Sequence, residues 1–263
     1  MENLIKDYST FLDKQYNWLK PFGKLRIKKW EDFLKSNPEG AICEAMTCEF
    51  LEKNRINVVP YENLSTGGPD FLCTRGNNQF YVEVTCVTKD KVTSQTKLND
   101  KPQGPCYYHL LTDVFLNEIS NKTSQCSSLN NSCLVAIGTL HHQGGAKCFG
   151  KRAVEDLLTG TTRLTMKYDA EKGQGVGSIY ESTNLRDSAF IRFMKGATGG
   201  IEFARNPISS VLLCTFGFDP AKVVGAFHPN PNHKFDRTLL PNIDFCRIVQ
   251  GSLETGCLKV EWI

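Results

Sequence analysis

No run in the 263-residue chain approaches the ~20 consecutive apolar residues that cross a bilayer, which sets aside a membrane-spanning helix. The opening Met1-Glu2-Asn3-Leu4-Ile5-Lys6-Asp7-Tyr8 is polar and mixed in charge, without the apolar core of a secretory signal. An excess of one charge sign is also lacking: 31 Lys and Arg against 28 Asp and Glu leave a formal net charge of +3. That is too little for a polycation coating nucleic acid without specificity, although a local basic groove stays open. The 11 cysteines include no C-x-x-C pair, so a zinc ribbon or thioredoxin-type site lacks its ligand spacing. Their number is odd, and several sit within apolar runs, such as Cys86 in Tyr81–Val87 and Cys214 in Val211–Phe216. Buried free thiols in a reducing cytosol are the expectation, and with them a cytoplasmic protein without a membrane partner.

What is present has globular composition. Hydrophobic residues at 40% and charged residues at 22% supply a core and a solvated surface, which excludes wholesale disorder, collagen-like repeats and coiled coil. Residues 1–36 read as a helical extension anchored by Phe11, Trp18, Leu19, Trp30, Phe33 and Leu34. Asn37-Pro38-Glu39-Gly40 breaks it and starts a helix over Ala41–Asn54. A short β-rich run, Ile56–Tyr61, leads through a turn-rich link to strands at Phe71–Thr74 and Gln79–Val87, joined by Arg75-Gly76-Asn77-Asn78. A polar stretch (88–105) precedes a second helix over 107–120, and Cys133–Leu140 suits a buried strand. Residues 141–205 are rich in Gly and polar residues and hold 10 Lys and Arg against 7 Asp and Glu, with a helix near Lys151–Leu158. Strands resume at Val211–Phe216 and Val223–Phe227, and Cys257–Ile263 is an edge-strand candidate. This order predicts an α/β fold, a mixed central sheet flanked by helices, in a single domain (1–263). Its core spans 41–140 and 209–263, with an N-terminal extension (1–36) and a Gly-rich basic insertion (141–205).

The chemistry is concentrated in Gly67-Gly68-Pro69-Asp70-Phe71-Leu72, followed eight residues later by Tyr81-Val82-Glu83-Val84-Thr85. Strand alternation puts Tyr81, Glu83, Thr85 and Val87 on one face and Phe80, Val82, Val84 and Cys86 on the other. Glu83 therefore needs a cation, a strong donor or a wet cleft, because an unpaired buried carboxylate costs several kcal/mol. A two-residue loop at Gly76-Asn77 and a four-residue loop at Arg75–Asn78 give one register, with Asp70 opposite Glu83 and β-carbons about 4.5–5.5 Å apart. A loop at Asn77-Asn78 would place Asp70 opposite Thr85 instead. A cation such as Mg²⁺ would relieve two opposed carboxylates. On a helical wheel, Glu44 lies near the packed side of the Ala41–Asn54 helix, where it either aims at the same cleft or snorkels at a boundary.

Pro69-Asp70 and Glu83-Val84-Thr85, on a helix–strand–hairpin–helix–strand frame, resemble the PD-(D/E)XK nuclease superfamily, with its restriction-endonuclease-like fold. Glu44 matches a helix glutamate that many members use. The resemblance covers about residues 41–140, with the strands near 211–227 completing the sheet. It implies a Mg²⁺- or Mn²⁺-dependent nuclease that hydrolyses nucleic-acid phosphodiesters, DNA ahead of RNA. Asp70, Glu83 and the Val84 carbonyl would ligate the metal, and Asp70, Glu83, Thr85 and Glu44 would form the catalytic set. The departure is Thr85, which stands where the family has lysine and carries no charge. Lys89 or Lys91 reaching back, a lysine such as Lys97 or Lys101, or a weakened site are the alternatives. The last keeps a second function open: an inactive nuclease-fold protein acting as a nucleic-acid-binding or protein-interaction module. A third is an unrelated α/β protein whose carboxylates satisfy local donors such as Arg75.

The remaining motifs carry less. Gly173-Gln174-Gly175-Val176-Gly177 has neither a clear strand before it nor Gly-Lys-Ser/Thr after it, and reads as a loop. His141-His142 reads as a solvated loop, and His228 and His233 in a proline-held loop either contact phosphate or simply belong to a rigid turn. Tyr107-Tyr108-His109 could stack on bases or pack on the sheet. Lys147, Lys151 and Arg152, with Arg163 and Lys167, are the basic residues nominated to contact nucleic acid, against the plainer reading of a solvated face.

Overall fold

Three helices open the chain, α1 (Glu2–Asp7), α2 (Ser9–Leu19) and α3 (Lys24–Ser36), and α4 (Pro38–Lys53) leads into the sheet. The structure, a computed structural model, describes residues 2–63, 67–100, 109–147, 151–159, 162–169, 174–183, 188–194, 200–216, 222–249 and 258–263. The other helices of more than one turn are α5 (Lys89–Thr96), α6 (His109–Cys126), α7 (His142–Lys147) and α8 (Lys151–Thr159). The strands are β1 (Asn57–Pro60), β2 (Phe71–Arg75), β3 (Asn78–Cys86), β4 (Cys133–Gly138), β5 (Thr162–Asp169), β6 (Gln174–Thr183), β7 (Ile191–Met194), β8 (Gly200–Phe203), β9 (Ser210–Cys214), β10 (Val223–Phe227), β11 (Asp244–Val249) and β12 (Lys259–Trp262).

Eight of them form one mixed sheet in the order β1-β2-β3-β4-β9-β10-β11-β12. Its centre is parallel (β3 with β4, β4 with β9), and β1-β2-β3 is an antiparallel meander at one end. The predicted α/β sheet flanked by helices is therefore present. Phe80, Val82 and Val84 of β3 pack with Ile42, Met46 and Leu51 of α4 on one face. On the other, Tyr81, Val135 and Ile137 pack with Val114, Phe115 and Ile119 of α6 and Leu157 of α8. Phe80 is fully buried, worth about 1.5–3 kcal/mol over an exposed ring.

Local chemistry explains the elements that position the site. Asn37 caps α4, its Oδ1 accepting from the Gly40 N–H at 3.1 Å, with Pro38 at the first helical position. Gly40 has no room for a β-carbon, which would fall 2.7 Å from the Phe33 ring, so α3 packs closely on α4 there. In the hairpin, Gly76 alone has positive φ (60°) and Arg75 pairs with Asn78, the pattern of a two-residue type II′ turn.

Several elements depart from expectation. The polar stretch after β3 contains α5, capped by the Thr88 hydroxyl and anchored only by Val92 and Thr96. The second helix, α6, runs past Ser120 to Cys126. The insertion holds two separate hairpins, β5–β6 and β7–β8, and Gln174–Gly177 belongs to β6 where a loop was expected. β11 was not anticipated, whereas β12 is the edge strand expected near the end of the sequence. All eight described cysteines are free, and all but half-buried Cys86 are buried. No helix among the described residues is long and apolar enough to cross a membrane.

Candidate functional site

Phe71 pairs with Val82 and Leu72 with Tyr81, so continuing the ladder by one step sets Asp70 opposite Glu83, as the first register requires. Gly67 and Gly68 turn the chain into position with φ of 77° and 129°, and the Tyr61 N–H donates to the Asp70 carbonyl at 2.8 Å. Asp70 Oδ2 accepts from the Val84 N–H at 2.7 Å, which fixes its carboxylate against β3. Glu83 itself is only 1% exposed. One of its oxygens, Oε1, accepts from the Lys122 ammonium at 2.6 Å, while Oε2 is buried without a partner. Glu44, Asp70, Glu83, Val84, Thr85 and Lys122 line one cleft of about 630 Å³.

Burial dominates the electrostatics. It pushes the Glu83 carboxyl up to about 7 even though the charge and hydrogen bond of Lys122 pull the other way. Asp70 is raised by burial and then by the neighbouring Glu83 charge, and Glu44 by burial and then by Asp70. Burial pulls Lys122 down, but the charge and hydrogen bond of Glu83 outweigh it, so its ammonium is stabilised. Three carboxyls raised in one cleft, beside a cation with access to them, form an arrangement that favours proton transfer or cation binding.

The sequence missed Lys122, which supplies the positive charge that Thr85 lacks. Its signal was present: Phe115, Ile119, Lys122 and Cys126 follow helical spacing, and the other three are buried. Ending the helix at Ser120 left Lys122 off that face. The described lysines nominated instead make no contact with Asp70 or Glu83, although Lys91 reaches Glu118 of the cleft wall. Lys89 pairs with Asp100 at 2.9 Å, Lys91 pairs with Glu118, and Lys97 is an exposed left-handed cap of α5. Lys101 lies outside the described residues. Arg75 donates to the Leu239 carbonyl at 2.6 Å, and so the local donors to Asp70 and Glu83 are Val84 and Lys122.

The donor chemistry of Asp70, Glu83 and Glu44 is all hard oxygen, which suits Mg²⁺. As placed, no group of three His, Cys, Asp or Glu among the described residues is gathered closely enough to hold an ion. Among the described residues that line the cleft, Glu83 Oε2 is a buried acceptor without a partner, and the Lys122 ammonium is the cation already in place. The residues fit a divalent ion in donor type and in this free acceptor.

The other nominated residues that are described do not line the cleft. Lys151 is exposed, with its ammonium 5.1 Å from the Trp262 ring centre on β12. Five strand spacings separate β12 from β3, roughly 24 Å across the sheet. The side chains of Lys147, Arg152, Arg163 and Lys167, and all of Tyr107 and Tyr108, lie outside the described residues. His141 is fully buried, correcting its reading as a solvated loop: its Nδ1 accepts from the Gly144 N–H at 3.0 Å. His228 is buried too, between the Ala204 carbonyl and the Asn230 N–H, and burial lowers it to about 4. Both histidines hold turns.

No family model, curated protein or solved structure matches the chain. Functional assignment therefore rests on the cleft.

Proposed function

We propose that the chain is a metal-dependent nuclease with a restriction-endonuclease-like core, hydrolysing phosphodiesters of nucleic acid, DNA first. The observation that carries this is the buried Glu83, with one oxygen on Lys122, the other free, and Asp70 and Glu44 beside it. A fold that only needed stability would not gather three carboxyls whose ionisation burial opposes. Asp70, Glu83 and the Val84 carbonyl would hold Mg²⁺ or Mn²⁺, with Glu44 as a further carboxylate. A divalent ion there supplies charge neutralisation on the phosphate oxygens and an acidified water. Asp70 would be held for that task by the Val84 N–H, and Lys122 donates to one oxygen of Glu83. The Lys122 ammonium also stands where it can donate to a phosphate oxygen, the task of the family lysine that Thr85 cannot perform. Thr85, 7% exposed, is left to orient water at the cleft wall.

A second reading, a non-catalytic nucleic-acid-binding or protein-interaction module, is favoured by the lack of three gathered metal donors among the described residues. Plasmid and single-stranded DNA incubated with Mg²⁺ or Mn²⁺ separate the two. The nuclease reading expects cleavage that Asp70→Ala and Glu83→Ala abolish and that Lys122→Met lowers about 10²–10³-fold, the usual cost of one transition-state donor. Cleavage that persists in the Asp70 and Glu83 variants would sink the site. Binding without cleavage by the wild type favours the module.

A further inference from the structure

We infer that the α3 face built by Arg26, Lys29, Trp30 and Phe33 is a subsite for an unpaired strand of nucleic acid, leading it to the carboxylate floor. The inference rests on the nuclease reading and specifies its substrate. These four side chains follow helical spacing (i, i+3, i+4, i+7) and line the same cleft as Glu83. Trp18 of α2 and Phe71 of β2 complete that wall.

The charge pattern supplies a path. Lys20-Pro21-Phe22-Gly23-Lys24-Leu25-Arg26-Ile27-Lys28-Lys29-Trp30 holds five basic residues and no acidic one. Lys20, Lys24 and Lys28 are exposed, while Arg26 and Lys29 are half-buried at the cleft. The floor beyond them is acidic, so a polyanion needs such a basic lead-in before any cation on the carboxylates can hold it. Lys29 pairs with the Glu62 carboxylate at 2.8 Å, and Arg26 donates to the Glu62 carbonyl at 3.2 Å. A partly exposed pair of this kind contributes little, so phosphate can displace it. The Trp30 indole N–H is buried without an acceptor, an unused donor in a residue only 8% exposed. Half-buried Trp18 and Phe33 give apolar faces on which bases can stack.

Size selects the form of the strand. A cleft of about 630 Å³ has the volume of a small-molecule pocket rather than a duplex channel. A stiff duplex, with its second strand held against the first, cannot follow one phosphate down to a carboxylate so deeply buried. A single strand, a frayed end or an extruded nucleotide can enter.

Fluorescence anisotropy of the full chain with a labelled 12-nucleotide single strand, DNA or RNA, and with the same DNA sequence as a blunt duplex, tests this. The single strand should bind at least tenfold tighter. Combining Arg26→Ala and Lys29→Ala should reduce the salt slope of single-strand binding by about 1.4, two lost phosphate contacts. Trp30→Phe, which keeps an aromatic six-membered ring but removes the rest of the indole with its N–H, should weaken binding several-fold when measured well below its lowered melting temperature. Equal or tighter duplex binding overturns the inference, as does binding lost in Lys151→Ala but kept in the α3 variants. If either occurs while Asp70-dependent plasmid cleavage persists, the nuclease reading survives alone. If α3-dependent strand binding occurs without cleavage, the subsite survives and the nuclease reading falls.

Discussion

Asp70 accepts the Val84 amide through Oδ2 and faces Glu83 across the hairpin, so an amide at position 70 can keep the bond and remove the repulsion. The sign follows from the raised folded-state pKa of Asp70. Its proton is bound more readily in the folded than in the unfolded chain, so stability present at acid pH is lost as pH rises through the folded value. Asn cannot ionise and does not suffer that loss. Asp70→Asn should therefore match the wild type near pH 4 and exceed it by roughly 1–2 kcal/mol at pH 8. Thermal melts at the two pH values check this, and a less stable variant at pH 8 would contradict it. At this scale the opposition of Asp70 and Glu83 was legible because two of the three loop choices gave the same register. Lys122 was not, because Asn121, Thr123 and Ser124 around it are weak helix formers. Burial of Ile119 and Cys126 against the sheet overrides their propensity.

Among elements, α4 connects the two halves of the site: it carries Glu44, and through Gly40 it seats α3. Its start depends on Asn37, whose loss frees the Gly40 N–H. Asn37→Ala should cost about 1 kcal/mol and Asn37→Asp close to nothing, read by urea unfolding. Equal losses in the two variants would show that the cap bond contributes nothing. The cap, the proline and the helix were legible in Asn37-Pro38-Glu39-Gly40. By contrast, α5 has a low apolar content and buries only Val92 and Thr96, so no periodicity announced it. The N-terminal helices were legible as helices. Their place as a wall of the cleft was not, since helical spacing shows which residues share a face and not what that face meets.

At the scale of the whole molecule, sheet order was the least legible feature. Parallel neighbours such as β4 and β9 are joined through long connections that periodicity cannot pair. The order sets a gradient of protection. β4 is buried along its whole length between two partners, whereas β12 has one partner and exposed alternate residues. Hydrogen exchange should be slowest in β4 and the adjoining parts of β3 and β9, and fastest in β12 among the eight strands. Comparable protection of β12 and β4 would contradict this ordering. Charge also acts at this scale. Residues 141–205 hold an excess of three basic residues, equal to the net charge, while the basic run of residues 20–29, which sends Arg26 and Lys29 to the cleft, is balanced by acid elsewhere. The β4–β9 pairing has a further consequence for assembly. Every residue proposed for the cleft precedes β4, whereas β9 can dock only after the intervening chain 139–209 has been closed into a loop. Closure entropy grows slowly, about 0.6 kcal/mol for each doubling of loop length. Natural variation could therefore lengthen or shorten that insertion at little thermodynamic cost, leaving the hairpin and its carboxylates unchanged while the insertion diverges.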